Sequence, residues 1–103
     1  NHSLRPAITG QPFPATLVRQ SAEQARDFHV HGPLCTSMDK LGELALPEDV
    51  AVGDKLIFGY SGAYGFTESM PFFLCHQIAA EYVIENEELI EVRQAQPASW
   101  YLR

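Results

Sequence analysis

The sequence predicts a mostly β domain, and three observations support this fold class. Short stretches that alternate apolar and polar residues, or that are rich in β-branched residues, recur about five times along the chain. Glycine and proline, seven of each, interrupt these stretches at short intervals. No segment has the apolar spacing of a long helix. With 103 residues the chain has room for one domain, and we expect residues 1–103 to form it.

The first part of the chain contains two predicted strands. The proline-rich stretch Pro6–Pro14 predicts a loop or an edge strand, because proline cannot donate a hydrogen bond to a neighbouring strand. Ala15–Arg19 then predicts a strand, and the polar run Ser21–Arg26 predicts a turn or a short helical turn. Asp27–His31 alternates polar and apolar residues and predicts a second strand, which the breaker pair Gly32-Pro33 ends.

The second part predicts a linker, a strand and a hairpin. Leu41–Val52, centred on Leu-Pro-Glu-Asp, is typical of a linker, and Asp54–Tyr60 is the clearest strand of the sequence. A loop of small residues around one tyrosine follows at Ser61–Gly65. A hairpin is predicted from two short strands and their polar connection: Glu81–Glu85, Leu89–Arg93 and residues 86–88.

The composition excludes several classes of protein. A formal net charge of −6 argues against a nucleic-acid-binding protein, which needs a basic surface to displace counterions. No apolar run approaches the ~20 residues that cross a bilayer, so we expect no membrane segment. Two cysteines are too few for a disulfide framework and favour a cytoplasmic location. The chain begins at Asn1 without a methionine, and we expect it to be part of a longer protein.

The segment from His31 to Asp39 concentrates reactive groups. Cys35 follows the Gly-Pro pair that ends a predicted strand, so its thiol is expected in a loop, where side chains can meet a ligand. Such a thiol can donate a proton or act as a nucleophile. The alternative is a small buried apolar side chain, which most free cysteines are.

The Ser61–Gly65 loop is a candidate anion site. Its small residues leave room for backbone to approach an anion, and the Tyr64 hydroxyl can donate to a phosphate oxygen. The alternative is a packed tyrosine beside ordinary glycine turns. The pattern of a P-loop is absent.

Four histidines raise the question of a metal site. His29 and His31 share one face of the predicted strand, but a structural zinc needs four ligands. The spacing of His2, Cys75 and His76 does not connect them to that pair, and adjacent Cys75 and His76 point to opposite faces of an extended chain. We therefore predict no metal and no Cys–His nucleophilic pair.

Five segments in order along the chain form a recognisable arrangement. They are Asn1–Ala7, Gly32–Asp39, Val52–Asp54, Ser61–Gly65 and Ala80–Ile84. Together they resemble the C-terminal part of the fold type III pyridoxal-phosphate decarboxylases, the diaminopimelate, ornithine and arginine decarboxylase family. The resemblance covers nearly the whole chain. Its most specific part is Gly-Pro-x-Cys-x-x-x-Asp, followed about 30 residues later by Gly-Ala-Tyr, with Val-Gly-Asp between them.

The resemblance implies a C-terminal domain of β-sandwich or barrel-like form, with the family's N-terminal (β/α)₈ barrel missing from this chain. In the family the barrel carries the lysine that binds pyridoxal 5′-phosphate covalently. Lys40 and Lys55, the two lysines here, lie in no barrel motif. The resemblance therefore implies that the chain is inactive alone and works with the barrel of the same protein in a head-to-tail homodimer.

Several residue roles follow from the resemblance. Cys35 matches the active-site cysteine, which reaches the neighbouring subunit's site and helps to protonate the carbon left when carbon dioxide departs. Tyr64 matches the tyrosine that binds the cofactor phosphate, and Arg5 matches an arginine near the substrate, where a guanidinium suits a carboxylate. Asp39 matches a carboxylate that pairs across the dimer interface in some members. Thr36 occupies a position that contacts the substrate.

Two departures bear on the substrate. Many members have an acidic residue directly after the cysteine, which holds the distal amine of a basic substrate; here that residue is Thr36. Thr9 stands where the segment after Arg-Pro-Ala often has a tyrosine. Together with Phe73–His76, these two departures make the sequence look more like the family members of natural-product pathways. Those members act on modified or carrier-bound amino acids.

The resemblance thus implies part of a pyridoxal-phosphate-dependent amino-acid decarboxylase with a small-molecule or carrier-bound substrate. Two alternatives stay open: an inactive decarboxylase-like binding or regulatory module, and a domain like that of alanine racemase, which joins the same barrel to a β domain.

Overall fold

A computed structural model describes residues 4–102. Most regular structure in this range is strand, as the sequence predicts, and one short helix precedes the strands. The contacts divide the chain into two compact units, Asn1–Met70 and Pro71–Arg103. That residues 1–103 form one domain stays a prediction. We describe each unit by itself.

The first element is a short helix, α1, at Leu4–Thr9. The prediction of a loop or edge strand is wrong for this part of Pro6–Pro14. Proline is tolerated at Pro6 because the first N–H groups of a helix have no partner within the helix. The buried Pro6 ring fixes α1 to the unit, and the Gly10 N–H donates to the Pro6 carbonyl at 2.9 Å, where the helix ends.

Strands β1 (Ala15–Leu17) and β2 (Ala25–His31) are followed by β3 (Lys40–Pro47) and β4 (Leu56–Phe58). β1 pairs antiparallel with β4, and β2 pairs antiparallel with β3. The first three residues of the predicted strand 15–19, all of the predicted strand 27–31 and the centre of the predicted strand 54–60 are confirmed as strand.

The prediction of a linker over Leu41–Val52 is wrong, because β3 occupies most of it. The proline at its end concealed a period of two: Leu44 and Leu46 are buried, while Glu43 and Ala45 between them are exposed. This alternation places both leucines on the inner face, where β3 closes the core of the first unit.

A bulge interrupts the β2–β3 ladder near the loop that joins these strands. Val30 pairs with Gly42 and His31 with Lys40, so Leu41 is an extra residue in β3. Gly42 has φ +113°, and a Cβ at this position would lie 2.6 Å from the Pro12 Cβ. Glycine is therefore required here by both the backbone conformation and the close approach of Pro12.

The second unit contains the predicted hairpin, formed by β5 (Glu81–Glu85) and β6 (Glu88–Arg93). The connection is shorter than predicted, since Glu88 already belongs to β6. Asn86 and Glu87 both have positive φ, 50° and 64°, as a two-residue type I′ turn requires. Beyond the hairpin, the Tyr101 hydroxyl donates to the His76 carbonyl at 2.9 Å and ties the end of the chain to the unit's first segment.

Candidate functional site

Cys35 lies in the loop that joins β2 to β3. Its side chain is exposed, whereas the preceding residue, Leu34, is buried. The alternative of a buried apolar cysteine is therefore wrong. The buried leucine anchors the loop and leaves the neighbouring thiol accessible from outside the chain.

Asp39 organises this loop from within. Its carboxylate is buried, with 2% of the residue exposed, and accepts the Leu34 N–H at 2.9 Å. Its carbonyl accepts the Gly32 N–H at 2.8 Å, and its own N–H donates to the Thr36 carbonyl at 3.2 Å. These bonds join both ends of the loop, so the backbone on either side of Cys35 is fixed.

Thr36 is half-buried beside the thiol. Its Oγ1 accepts the Met38 N–H at 3.2 Å, a short turn that threonine forms with the backbone two residues on. The residue directly after Cys35 therefore presents a neutral hydroxyl that already has a partner within the loop.

A second group of side chains surrounds Arg5 on α1. The Glu68 carboxylate accepts from Arg5 Nε at 3.0 Å and from Nη2 at 2.5 Å, although the two residues are 63 positions apart. The Arg5 guanidinium carbon lies 5.5 Å from the centre of the Tyr64 ring. Hydrogen bonding to Glu68 raises the pKa of Arg5, so the guanidinium stays charged.

Tyr64 ends a 3₁₀ turn at Gly62–Tyr64, and its side chain is exposed. The backbone N–H of Glu68 donates to the Tyr64 carbonyl at 2.9 Å, which fixes the distance between these two residues. Within residues 4–102 the phenol hydroxyl has no hydrogen-bond partner, so it is available to an external acceptor.

A cavity of about 520 Å³ lies between the elements that carry these two groups. Pro6, Ala7 and Ile8 of α1 line one side, and Ser37 and Met38 of the Cys35 loop line another. The sequence-predicted residues form two groups, Arg5 with Tyr64, and Cys35 with Thr36 and Asp39, and none of these five residues lines the cavity. No hydrogen bond, ion pair or ring contact within residues 4–102 joins Cys35 to Arg5 or Tyr64.

The Val52–Asp54 motif serves as an anchor. Arg19, just after β1, donates to Asp54 from Nε at 2.9 Å and from Nη2 at 2.8 Å, and to Asp49 from Nη1 at 3.1 Å. Asp54 also accepts the Ala51 N–H at 2.9 Å. Hydrogen bonding to Arg19 lowers the pKa of Asp54 to about 2, so the carboxylate is ionised at neutral pH.

A comparison with protein families matches residues 1–62 to the C-terminal sheet domain of the pyridoxal-dependent decarboxylases. The chain belongs to this decarboxylase family. The matched range includes Arg5, Cys35, Thr36 and Asp39, and Tyr64 follows two residues beyond it.

Two curated relatives of the decarboxylase family are diaminopimelate decarboxylases. The enzyme of Pseudomonas fluorescens is 34% identical over 97 residues, which cover 91% of this chain and 22% of that protein. The enzyme of Vibrio cholerae serotype O1 is 31% identical over 102 residues, 96% of this chain and 23% of that protein. The chain therefore spans less than a quarter of these relatives.

Two solved structures have the same fold. The AQ1208 protein of Aquifex aeolicus matches with a TM-score of 0.82 and 25% identity over 98% of this chain and 25% of its own. A diaminopimelate decarboxylase matches with a TM-score of 0.81 and 27% identity over 98% of this chain and 27% of its own. The fold class inferred from the sequence, a C-terminal domain of this decarboxylase family without its barrel, is confirmed.

The residues of this chain fit a phosphate-bearing cofactor. The exposed Tyr64 hydroxyl is a donor without a partner in the described range, and the charged Arg5 lies against the same ring. A donor beside a fixed cation suits a phosphate oxygen. The decarboxylase family to which the chain belongs is pyridoxal-dependent.

Sequence reasoning missed Glu68. Its pairing with Arg5 spans 63 positions, and no motif marks it. The one sequence signal for Glu68 is its position four residues after Tyr64. This spacing indicates that the two residues are close only if the segment between them is known to form a turn.

The described residues contain neither a cluster of metal-binding side chains nor a membrane-spanning helix. Residues 4–102 contain no group of three or more His, Cys, Asp or Glu side chains placed to hold a metal ion. None of the helices in that range is long and apolar enough to span a bilayer. Residues 1–3, including His2, lie outside this range.

Proposed function

We propose that the whole protein containing this chain is a pyridoxal-phosphate-dependent amino-acid decarboxylase, and that this domain completes its active site. What supports the proposal most is Cys35, an exposed thiol on an internally bonded loop within the range that matches the family. Its sequence context resembles that of the family's active-site cysteine. The N-terminal barrel, with the cofactor-binding lysine, belongs to the part of the protein outside this chain.

In this proposal Cys35 supplies the proton that replaces the carboxylate. Pyridoxal 5′-phosphate, when bound, would supply the electron-withdrawing ring that decarboxylation needs, and Cys35 would hold the proton that the product carbon requires. A thiol held by the backbone bonds of Asp39 enters the site in a fixed orientation. The protein works as a head-to-tail homodimer in which this loop, with Asp39 at its base, lies at the interface and reaches the neighbouring subunit. The buried position of Asp39 supports a role through the shape of the loop.

The substrate we propose is an amino acid whose distal end carries no free ammonium ion. An ammonium needs a carboxylate or several acceptors when it is partly desolvated. Thr36 offers a neutral hydroxyl whose Oγ1 already accepts from the Met38 N–H. A modified or carrier-bound amino acid fits this position. The relatives named diaminopimelate decarboxylase make meso-diaminopimelate the reference substrate for the test.

The first experiment measures cofactor binding and turnover in the full-length protein. We expect visible absorption from bound pyridoxal 5′-phosphate and release of carbon dioxide from one member of a panel. The panel contains meso-diaminopimelate, lysine, ornithine, arginine and their derivatives acylated on the distal nitrogen, with the α-amine free. Absence of cofactor absorption would contradict the proposal and favour an inactive binding module. Racemisation of alanine without carbon dioxide release would favour the racemase alternative.

The second experiment replaces the thiol. Cys35→Ala should keep the cofactor bound and lower turnover by about 10²–10⁴-fold, the range for loss of a general acid. The matched control is Cys75→Ala, since Cys75 is the other exposed free thiol of the described range. Equal turnover in both variants would remove Cys35 from the mechanism.

The two exposed free cysteines also fit a reducing compartment. We therefore place the enzyme in the cytoplasm.

A further inference from the structure

The Arg5–Glu68 pair uses one particular edge of the guanidinium. Glu68 accepts from Nε and Nη2, which form the side edge of the planar group. The end edge, made by Nη1 and the second Nη2 hydrogen, has no partner among residues 4–102. A guanidinium has five N–H donors, so one carboxylate on the side edge leaves the end edge able to bind a second oxyanion.

The end edge of the Arg5 guanidinium lies near the Tyr64 side chain. The guanidinium carbon lies 5.5 Å from the centre of the ring that carries the Tyr64 hydroxyl. Both donor groups lack partners in the described range, and both side chains are substantially exposed. One oxyanion, a phosphate or a carboxylate, matches such a set of donors.

Glu68 is itself fixed with respect to Tyr64. Its backbone N–H donates to the Tyr64 carbonyl at 2.9 Å, and only 23% of its side chain is exposed. Exposed ion pairs usually contribute little because both side chains move. Here a bidentate contact ties the flexible arginine of α1 to the turn that carries the tyrosine.

We propose that Glu68 is a positioning residue that holds Arg5 by its side edge, so that the end edge and the Tyr64 hydroxyl together bind one oxyanion. This inference rests on the proposed function, which supplies two sources of that oxyanion: the cofactor phosphate and a substrate carboxylate. Glu68 touches neither of them and acts through Arg5.

Electrostatics and positioning predict opposite results when Glu68 is neutralised. Glu68→Gln removes a negative charge beside the oxyanion, and charge alone would therefore tighten binding. Positioning predicts weaker binding, because the amide of glutamine cannot accept both guanidinium N–H groups. The sign of the change separates the two effects.

The test uses the full-length protein with two arms. The phosphate arm titrates the apoprotein with pyridoxal 5′-phosphate and with pyridoxal, which lacks the phosphate, and follows cofactor absorbance. The carboxylate arm measures KM and kcat with meso-diaminopimelate and with the best substrate of the panel. We expect Glu68→Gln to weaken binding about tenfold in one arm, as loss of a charged hydrogen bond does. In the phosphate arm pyridoxal binding stays unchanged; in the carboxylate arm KM rises while kcat changes less.

Two further variants separate positioning from a general structural effect. Glu68→Asp keeps the carboxylate and should recover part of the affinity. In an Arg5→Lys background, Glu68→Gln should add nothing, because lysine lacks the planar edges that Glu68 orients. Glu81→Gln is the matched control, since Glu81 forms an ion pair with Arg93 at 2.7 Å in the other unit.

The outcomes distinguish this inference from the proposed function. Three results in an otherwise active enzyme would each overturn the role of Glu68. The first is tighter binding in Glu68→Gln, and the second is no change in either arm. The third is that the effects of Arg5→Lys and Glu68→Gln multiply in the double variant. A wild-type protein that binds no cofactor overturns the proposed function, and this inference with it.

Discussion

Tyr64 is matched to a cofactor-binding tyrosine by sequence resemblance, and the structure shows the surroundings of its hydroxyl. Its hydroxyl is exposed and has no acceptor among residues 4–102, while its backbone is held by Glu68. A hydroxyl in this state can be removed without disturbing packing, so its substitution reports on ligand binding.

Replacing Tyr64 by phenylalanine should weaken cofactor binding. We expect the dissociation constant of pyridoxal 5′-phosphate to rise about tenfold, since a hydrogen bond to a charged acceptor is lost. Absorbance titration of the full-length apoprotein measures it. Tyr60→Phe is the control, because Tyr60 is also exposed and lies just before the same turn. Equal affinities in the two variants would exclude Tyr64 from the phosphate site.

Thr36 is where a single side chain should set the substrate preference. Thr36→Glu restores an acidic residue after the cysteine and should raise kcat/KM for meso-diaminopimelate and lysine, relative to N-acyl substrates, about tenfold or more. Thr36→Gln, nearly the same in shape but neutral, is the control. A gain shared by both variants would show that size, and not charge, sets the preference.

At the scale of elements, the bulge in β3 determines how the Cys35 loop leaves the sheet. Gly42 permits it by accepting φ +113° and the approach of Pro12. Gly42→Ala should destabilise the chain by about 1–3 kcal/mol, combining a strained backbone with steric overlap. Urea unfolding measures the change. Gly59→Ala is the control, since a Cβ there would meet Pro14 Cγ at an ordinary 3.5 Å, and a comparable loss in both would contradict the explanation.

The Arg19 contacts give the first unit a pH dependence. The pKa of Asp54 is lowered to about 2, so its ionised form stabilises the fold above the usual aspartate pKa near 4. This contribution is lost as the pH falls from about 4 to about 2. Unfolding free energies measured across that range should fall less steeply in Asp54→Asn than in the wild-type chain. An unchanged slope in Asp54→Asn would show that Arg19 does not hold this carboxylate in solution.

Sequence reasoning predicted elements well where the pattern is local and poorly where contacts decide. The hairpin at 81–93 is confirmed because its alternation and polar turn are visible in consecutive residues. β3 was missed because Pro47 resembled a linker signal, although Leu44 and Leu46 alternate correctly. α1 was missed because three prolines in nine residues outweighed its single turn of helix. Family resemblance identified Arg5, Cys35 and Tyr64 as candidates, but Glu68 required three-dimensional proximity.

At the scale of the whole molecule, the hairpin of the second unit exposes apolar side chains. The cross-strand neighbours Ile84 and Leu89 are 76% and 67% exposed, and Val83, Ile90 and Val92 are exposed as well. Since the chain spans less than a quarter of its curated relatives, we expect the rest of the whole protein to cover this surface.

The isolated chain should therefore bind a hydrophobic dye and self-associate. We expect the double variant Ile84→Lys and Leu89→Lys to reduce both effects, measured by dye fluorescence and light scattering. Val52→Lys is the control, because Val52 is a single exposed apolar residue of a turn in the first unit. Equal dye binding in the control and the double variant would show that another surface is responsible.

The extra residue at Leu41 also sets how the length of the Cys35 hairpin can vary. Deleting Leu41 would make Val30–Gly42 and His31–Lys40 consecutive pairs of a regular ladder, so the bulge and its added twist would be lost while the register stayed the same. An insertion at Ser37, which is exposed on the far side of the loop, leaves both strand registers intact. Both changes of length therefore leave the strand pairs in register, and the deletion alters the twist at the base of the Cys35 loop.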